Sequence, residues 1–206
     1  MIFYPRSAKL VPQMAKNKKI DYLGFFKTVG KSKRLLRAGW VREKVRDPES
    51  VAEHSFRVSV LAMVLSDKLG YEVDKEKLIK MAILHDLGEV ITGDIVTERY
   101  DVIDIEKREQ KEKEEREGIR EIFSKIGAED EYLDIFDEMI GRTTPEAKVF
   151  SQFDKLEMAL QAHEYEEEQG KDLEEFFTSV GLYYVRDPLI KKIFDMIIKK
   201  RKKKKI

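Results

Sequence analysis

Cysteine is absent from the 206-residue chain, which removes disulfide frameworks, thiolate zinc sites and cysteine nucleophiles at one stroke. An excess of either charge is missing too: 40 Lys and Arg balance 40 Asp and Glu, so net charge selects neither an acidic nor a basic partner. No apolar stretch approaches the roughly 18 residues of a membrane span. The start MIFYPRSAKLVPQM lacks the apolar centre of a signal peptide. These absences predict a soluble, cytoplasmic protein with no membrane and no nucleic-acid partner. What is present is 42% hydrophobic, enough for a core, and 39% charged, well above the usual quarter. Abundant Lys and Glu without Cys is the balance of heat-adapted cytosolic proteins.

Helical periodicity dominates, and convincing alternating strands are absent. Residues 17–37 read as a first helical stretch and GWVREKVRDPES as a loop. Ser50 and Glu53 form a capping-box pattern that opens a helix from about 51 to 69, stopped by Gly70. Asp74 can cap the next helix, which the pattern carries to about Gly88. Residues 104–117 (DIEKREQKEKEERE) are charged at all but two positions, and an apolar stripe of Ile119, Ile122, Phe123 and Ile126 follows. That pattern predicts a long exposed helix docking only at its end. Another helix is expected near 130–140. Thr144 then caps, and Pro145 opens, a helix to about 168, and residues 172–198 are helical as well. The whole chain, 1–206, is expected to be one all-α domain with its core at about 33–169 and a basic tail at 199–206. A frayed, solubilising terminus or contact with nucleic acid or a membrane surface would each account for that tail.

The stretch LHDLGEVITGD at 84–94 starts like a buried helix yet spends it on a histidine and several acids. At about 100° per residue, His54 lies in line with Val58, Leu61 and Leu65 and so points inward. His85 lines up with Leu78 and Met81, Glu89 follows one turn later on that face, and Asp86 sits at its edge. Asp154 falls in line with Ala147, Phe150 and Met158. Singly, an inward His is most often a satisfied core residue, and an inward Asp is paired, here with the neighbouring Lys155. Three such residues on three separate helices are better explained by one metal. Two imidazoles and two carboxylates suit a divalent ion such as Mn, Fe, Co, Ni or Zn. His163 lies about 180° from Asp154 on its helix and is left outside the site.

EHS at 53–55, HDLGEVITGD at 85–94 and the inward Asp154 together resemble the HD-domain superfamily of metal-dependent phosphohydrolases, and more narrowly its 5′-deoxynucleotidase branch. The similarity runs from about Lys33 to Gln169 and takes in GWVREKVRDPESVAEHS and FDKLEMALQAHEYE. It implies an HD-domain helical bundle that hydrolyses deoxynucleoside 5′-monophosphates. His54, His85, Asp86 and Asp154 would be the metal ligands, Glu89 and Asp94 the catalytic acids, and Trp40 would lie against the sugar. Glu89 would orient water or take its proton. Asp94 would protonate the leaving oxygen or hold a second metal with Glu89. Outside this context Glu89 is an exposed helix-end acid, Asp94 a cap or turn residue, and Trp40 a core anchor. Some bacterial relatives carry Arg immediately before the tryptophan, where this chain has Gly39; Arg37 or Arg42 could substitute. Rival functions are another HD activity on triphosphates or phosphodiesters, and a nucleotide-sensing module without turnover. The resemblance allows a homodimer, but no helical seam for one is legible.

Overall fold

The computed structural model describes residues 20–99, 102–183 and 185–204. The first three residues of the expected 17–37 helix and the last two of the basic tail lie outside them. The architecture is all-α: α1 (Tyr22–Val29), α2 (Ala38–Arg42), α3 (Val51–Leu65), α4 (Lys75–Leu84), α5 (Glu89–Thr92), α6 (Ile105–Ser124), α7 (Glu129–Gly141), α8 (Pro145–Gln169), α9 (Glu174–Tyr183) and α10 (Pro188–Lys204). The one sheet among the described residues is an antiparallel pair of two-residue strands, β1 (Glu98–Arg99) and β2 (Val102–Ile103). No helix among the described residues is long and apolar enough to cross a membrane.

The helix starts obey local chemistry. Ser50 accepts from the Glu53 amide while the Glu53 carboxylate accepts from the Ser50 amide, closing a capping box on α3. Asp74, Asp104 and Thr144 each accept from the amide three residues on, and Pro145 occupies the first turn of α8. α8 is the axis of the molecule and packs against α3, α4, α7, α9 and α10. Its Ala147, Phe153, Leu156, Ala159 and Ala162 are wholly buried. Each large apolar side chain so buried contributes about 1.5–3 kcal/mol.

Five expectations are corrected. The 17–37 stretch divides into α1, a 3₁₀ turn and an extended residue, Leu36, bridged to Ser50. The predicted loop at 39–50 opens inside helix α2, whose first amide, on Ala38, is capped by Asp94, 56 residues away. The predicted helix to Gly88 ends at Leu84, because the chain turns to pass Gly88 against α6. A Cβ at Gly88 would stand 2.5 Å from the Glu115 carbonyl, and one at Gly118 2.8 Å from the Gly88 carbonyl. The charged segment is consequently not an exposed rod: Glu115 is buried and Lys111 reaches inward. At the other end Arg201 is buried, forks onto Glu166 at 2.6 and 2.7 Å and stacks over Phe177, so the basic segment is helical through Lys204 and held at Arg201 rather than frayed there.

Candidate metal centre

α3 supplies His54, α8 supplies Asp154, and the turn between α4 and α5 supplies His85 and Asp86. His54 is fully buried on the core line of α3 that continues through Val58 and Ala62. Its Nδ1 donates to Glu157 Oε2 at 2.5 Å, which turns Nε2 toward Asp154 Oδ1 at 3.1 Å and Asp86 Oδ2 at 3.8 Å. Arg57, one turn along α3, donates from Nε to the other Glu157 oxygen at 2.8 Å. A carboxylate behind an imidazole fixes both its tautomer and its orientation. His85 reaches the same end by other means: Nδ1 donates to the Ala82 carbonyl at 2.9 Å, leaving Nε2 with its lone pair. That nitrogen lies 3.1 Å from Asp86 Oδ2 and 3.8 Å from Asp154 Oδ1, and although buried it makes no hydrogen bond.

The ligand atoms of His54, His85 and Asp86 fall within 4.8 Å of one another, and Asp154 closes the set. A buried imidazole nitrogen without a partner is costly unless something fills the space before it. Two nitrogens and two carboxylates form a donor set that fits a first-row divalent ion. Lys155 does pair with Asp154, at 3.6 Å, but through Oδ2; Oδ1 is left to the imidazoles. Burial alone would raise both aspartyl carboxyls. Arg37 beside Asp86, and Lys155 with His54 beside Asp154, instead hold them well below the usual carboxylate range.

Next to this cluster Glu89 is 1% exposed, not the exposed helix-end acid that its position alone would suggest. Its Oε1 stands 2.9 Å from Lys111 Nζ and its Oε2 3.7 Å from Arg37 Nη1, and neither oxygen makes a well-directed hydrogen bond. Burial and the Asp86 charge push its carboxyl well up, against the pull of Lys111 and Arg37. Asp94 follows Gly93, whose φ of 85° the turn requires. Asp94 is a cap after all, of α2 rather than of its own segment, with Arg37 Nη1 3.7 Å from the capping oxygen and Lys111 Nζ 3.9 Å from the other. Arg37 therefore sits at the middle of Asp86, Glu89 and Asp94, whereas Arg42 turns away to Glu43 and Glu175.

Trp40 serves both as a core anchor and as a wall. It is 2% exposed, donates from Nε1 to Glu49 at 2.8 Å and packs on Phe176 with ring centroids 4.3 Å apart. It also lines the cleft that opens on Arg37, Asp86, Asp94 and Asp154. A Cβ at Gly39 would lie 3.3 Å from the Phe176 ring, so Phe176 occupies the space into which a side chain at 39 would grow. His163 joins none of the site contacts; its ring lies 3.8 Å from Glu167.

Glu157, Lys111 and Phe176 were missed from the sequence. For Glu157 a signal existed, since Arg57 and Glu157 each sit three residues beyond a predicted ligand, on the same inward face. For Lys111 there was none, because its neighbours are nearly all charged too. Phe176 lies beyond the 33–169 core.

Residues 29–188 match the family model of the HD domain. The 5′-deoxynucleotidase HDDC2 of Dictyostelium discoideum is 40% identical over 171 residues, covering 77% of this chain and 87% of that one. The Danio rerio protein of the same name is 39% identical over 163 residues, covering 77% and 78%. Among solved structures, a conserved hypothetical protein from Pyrococcus furiosus superposes with a TM-score of 0.70 at 33% identity, over 86% of this chain and 99% of that one.

Proposed function

The chain belongs to the HD-domain family, and from that premise we propose that it is a metal-dependent phosphohydrolase that releases inorganic phosphate from 2′-deoxynucleoside 5′-monophosphates. The observation that carries this is the buried, partnerless His85 Nε2 facing Asp86, Asp154 and His54, with the buried carboxylate of Glu89 beside them. The names of the relatives supply the substrate class.

His54, His85, Asp86 and Asp154 would hold the ion, a first-row divalent such as Mn, Fe, Co, Ni or Zn. When bound, such an ion neutralises phosphoryl oxygens and lowers the pKa of water. Arg37 and Lys111 present positive charge to the phosphate from the opposite side, each anchored by carboxylates. Glu89 would orient the attacking water and take its proton, and Asp94 would relay that proton to the departing 5′ oxygen as the P–O bond breaks. Lys111 already places an ammonium between Glu89 and Asp94, where a second metal would have to sit, which favours one ion.

Trp40 and Phe176 form the apolar wall of the cleft against which the sugar lies. An apolar wall rejects an added hydroxyl only modestly, on the order of a hundredfold. Phosphate release should therefore be faster from dAMP than from AMP by up to that factor, with little base selectivity. The deciding assay is phosphate release from deoxy- and ribonucleoside mono-, di- and triphosphates with each metal added in turn. Hydrolysis confined to triphosphates, or none with any metal, would overturn the proposal; equal rates on AMP and dAMP would remove the sugar role of Trp40.

A further inference from the structure

The indole of Trp40 walls the cleft, but its own helix does little to hold it. α2 has five residues, too few for its hydrogen bonds to stiffen it, and takes its cap from Asp94. Phe176 lies against the indole with centroids 4.3 Å apart, and Tyr165 meets it edge-on at 5.4 Å and 71°. Such contacts exclude water yet let a flat ring slide or turn. The directional bond is the one from Nε1, the only donor of the side chain, to Glu49 Oε1 at 2.8 Å.

Glu49 is itself held through its main chain. Its carbonyl accepts from the Arg37 amide at 3.0 Å, and its amide donates to the Tyr165 hydroxyl of α8 at 2.8 Å. Ser50, the next residue, is bridged to Leu36 and caps α3. The Glu49 side chain is buried and lines the same cleft as Trp40. A buried carboxylate is costly, so packing alone does not account for it. Support of His54 does not account for it either. Glu157 takes the Nδ1 hydrogen at 2.5 Å, while Glu49 Oε1 stands 3.8 Å from that nitrogen. The hydrogen bond that the Glu49 carboxylate does make is to Trp40.

We propose that Glu49 is a positioning residue that sets the preference for deoxyribose over ribose, by holding the Trp40 indole at the angle at which it walls the sugar. With Nε1 tied, the ring cannot turn aside to admit a 2′-hydroxyl. Untied, it shifts along Phe176 and the wall yields. The inference rests on the sugar role given to Trp40 above.

Trp40 is the one tryptophan of the chain, so fluorescence reports this ring alone. The test uses the metal-loaded full chain with two variants: Glu49→Leu removes the acceptor, and Glu49→Gln keeps one at the same reach. Time-resolved fluorescence anisotropy should show a rigid indole in wild type and Glu49→Gln, and fast local motion in Glu49→Leu. The ratio of kcat/KM for dAMP to that for AMP should fall about tenfold in Glu49→Leu, the worth of one hydrogen bond to a charged group. In Glu49→Gln it should stay within about twofold, and metal content should hold in both. Should Glu49→Leu lose its fold, Trp40→Phe takes its place, removing the donor while keeping a ring, and its ratio should fall as far. A wild-type ratio or a rigid indole in folded Glu49→Leu would overturn the proposal. Loss of metal there would overturn it too, by making Glu49 a support of His54. If wild type shows no sugar preference, the role given to Trp40 fails instead, and the anisotropy still decides whether Glu49 fixes the ring.

Discussion

α6 and α8 are both long helices that bring charged side chains to the same site, and they could hardly be less alike. α8 is apolar where it faces the core, so Asp154 and Glu157 stand out as acids in a greasy stripe. The first three turns of α6 are almost wholly charged, and the inward-turned Lys111 and the buried Glu115 sit among residues of their own kind. A buried charge is conspicuous against an apolar background and invisible against a charged one. On α8 the acid three positions on, Glu157, backs the His54 imidazole that Asp154 faces, whereas Lys111 is matched by Glu89 from a different element as well as by Glu115 one turn along its own helix.

If the α8 carboxylates hold metal and the α6 charges tune its surroundings, their loss should fail differently. Asp154→Ala should abolish both metal content and turnover, and chelating wild type should lower its Tm, because an ion bound only by the folded state stabilises it. Metal analysis settles this, and full retention would remove Asp154 from the ligand set. Lys111→Met should keep the metal and lower turnover at neutral pH by about a hundredfold, because Glu89 loses the charge that holds its carboxyl down. Since a base must be ionised, the pH–rate profile should move to higher pH; a lost metal would merge the two helices into one role. Glu157→Gln should weaken metal affinity by about tenfold or more without unfolding the chain, as expected when the carboxylate behind a ligating imidazole is neutralised. An unchanged affinity would make Glu157 a packing residue.

The smallest effect concerns Glu115 in the chelated protein. Its folded carboxyl is pushed up to about 7 by burial, from about 4.5 in the unfolded chain, so the folded state binds more protons within that window. Wild-type stability from this group is therefore lost as pH rises between those values. Glu115→Gln has no such loss, so its stability relative to wild type should improve by about 1 kcal/mol between pH 6 and pH 8. Denaturation midpoints at both pH values give the answer; a constant gap would mean that Lys111 cancels the burial effect.

How far the site could be read from the sequence follows the same divide. His54, Asp154 and the caps at Ser50, Asp74 and Thr144 were legible because helix periodicity and capping act within a few residues. His85 and Asp86 were legible as residues but not as a turn, since the end of α4 at Leu84 is imposed by α6 passing close by. The same holds for α2, which borrows its cap from Asp94, and for Arg201, which gains its partners only when α10 folds back on α8 and α9. Interactions between distant segments leave no local period to read.

The crossing of Gly88 and Gly118 constrains how this chain can vary. Each glycine lets the backbone of the other segment through, so a side chain at either position meets main chain rather than a flexible neighbour. No second substitution can make room, because neither glycine has anything to give up. The pair is thus expected to behave as one character in descent, kept or lost together. A relative holding glycine at both positions, 30 residues apart, would bring its equivalents of Glu89 and Lys111 to the same spacing even where the charged run between them has been rewritten.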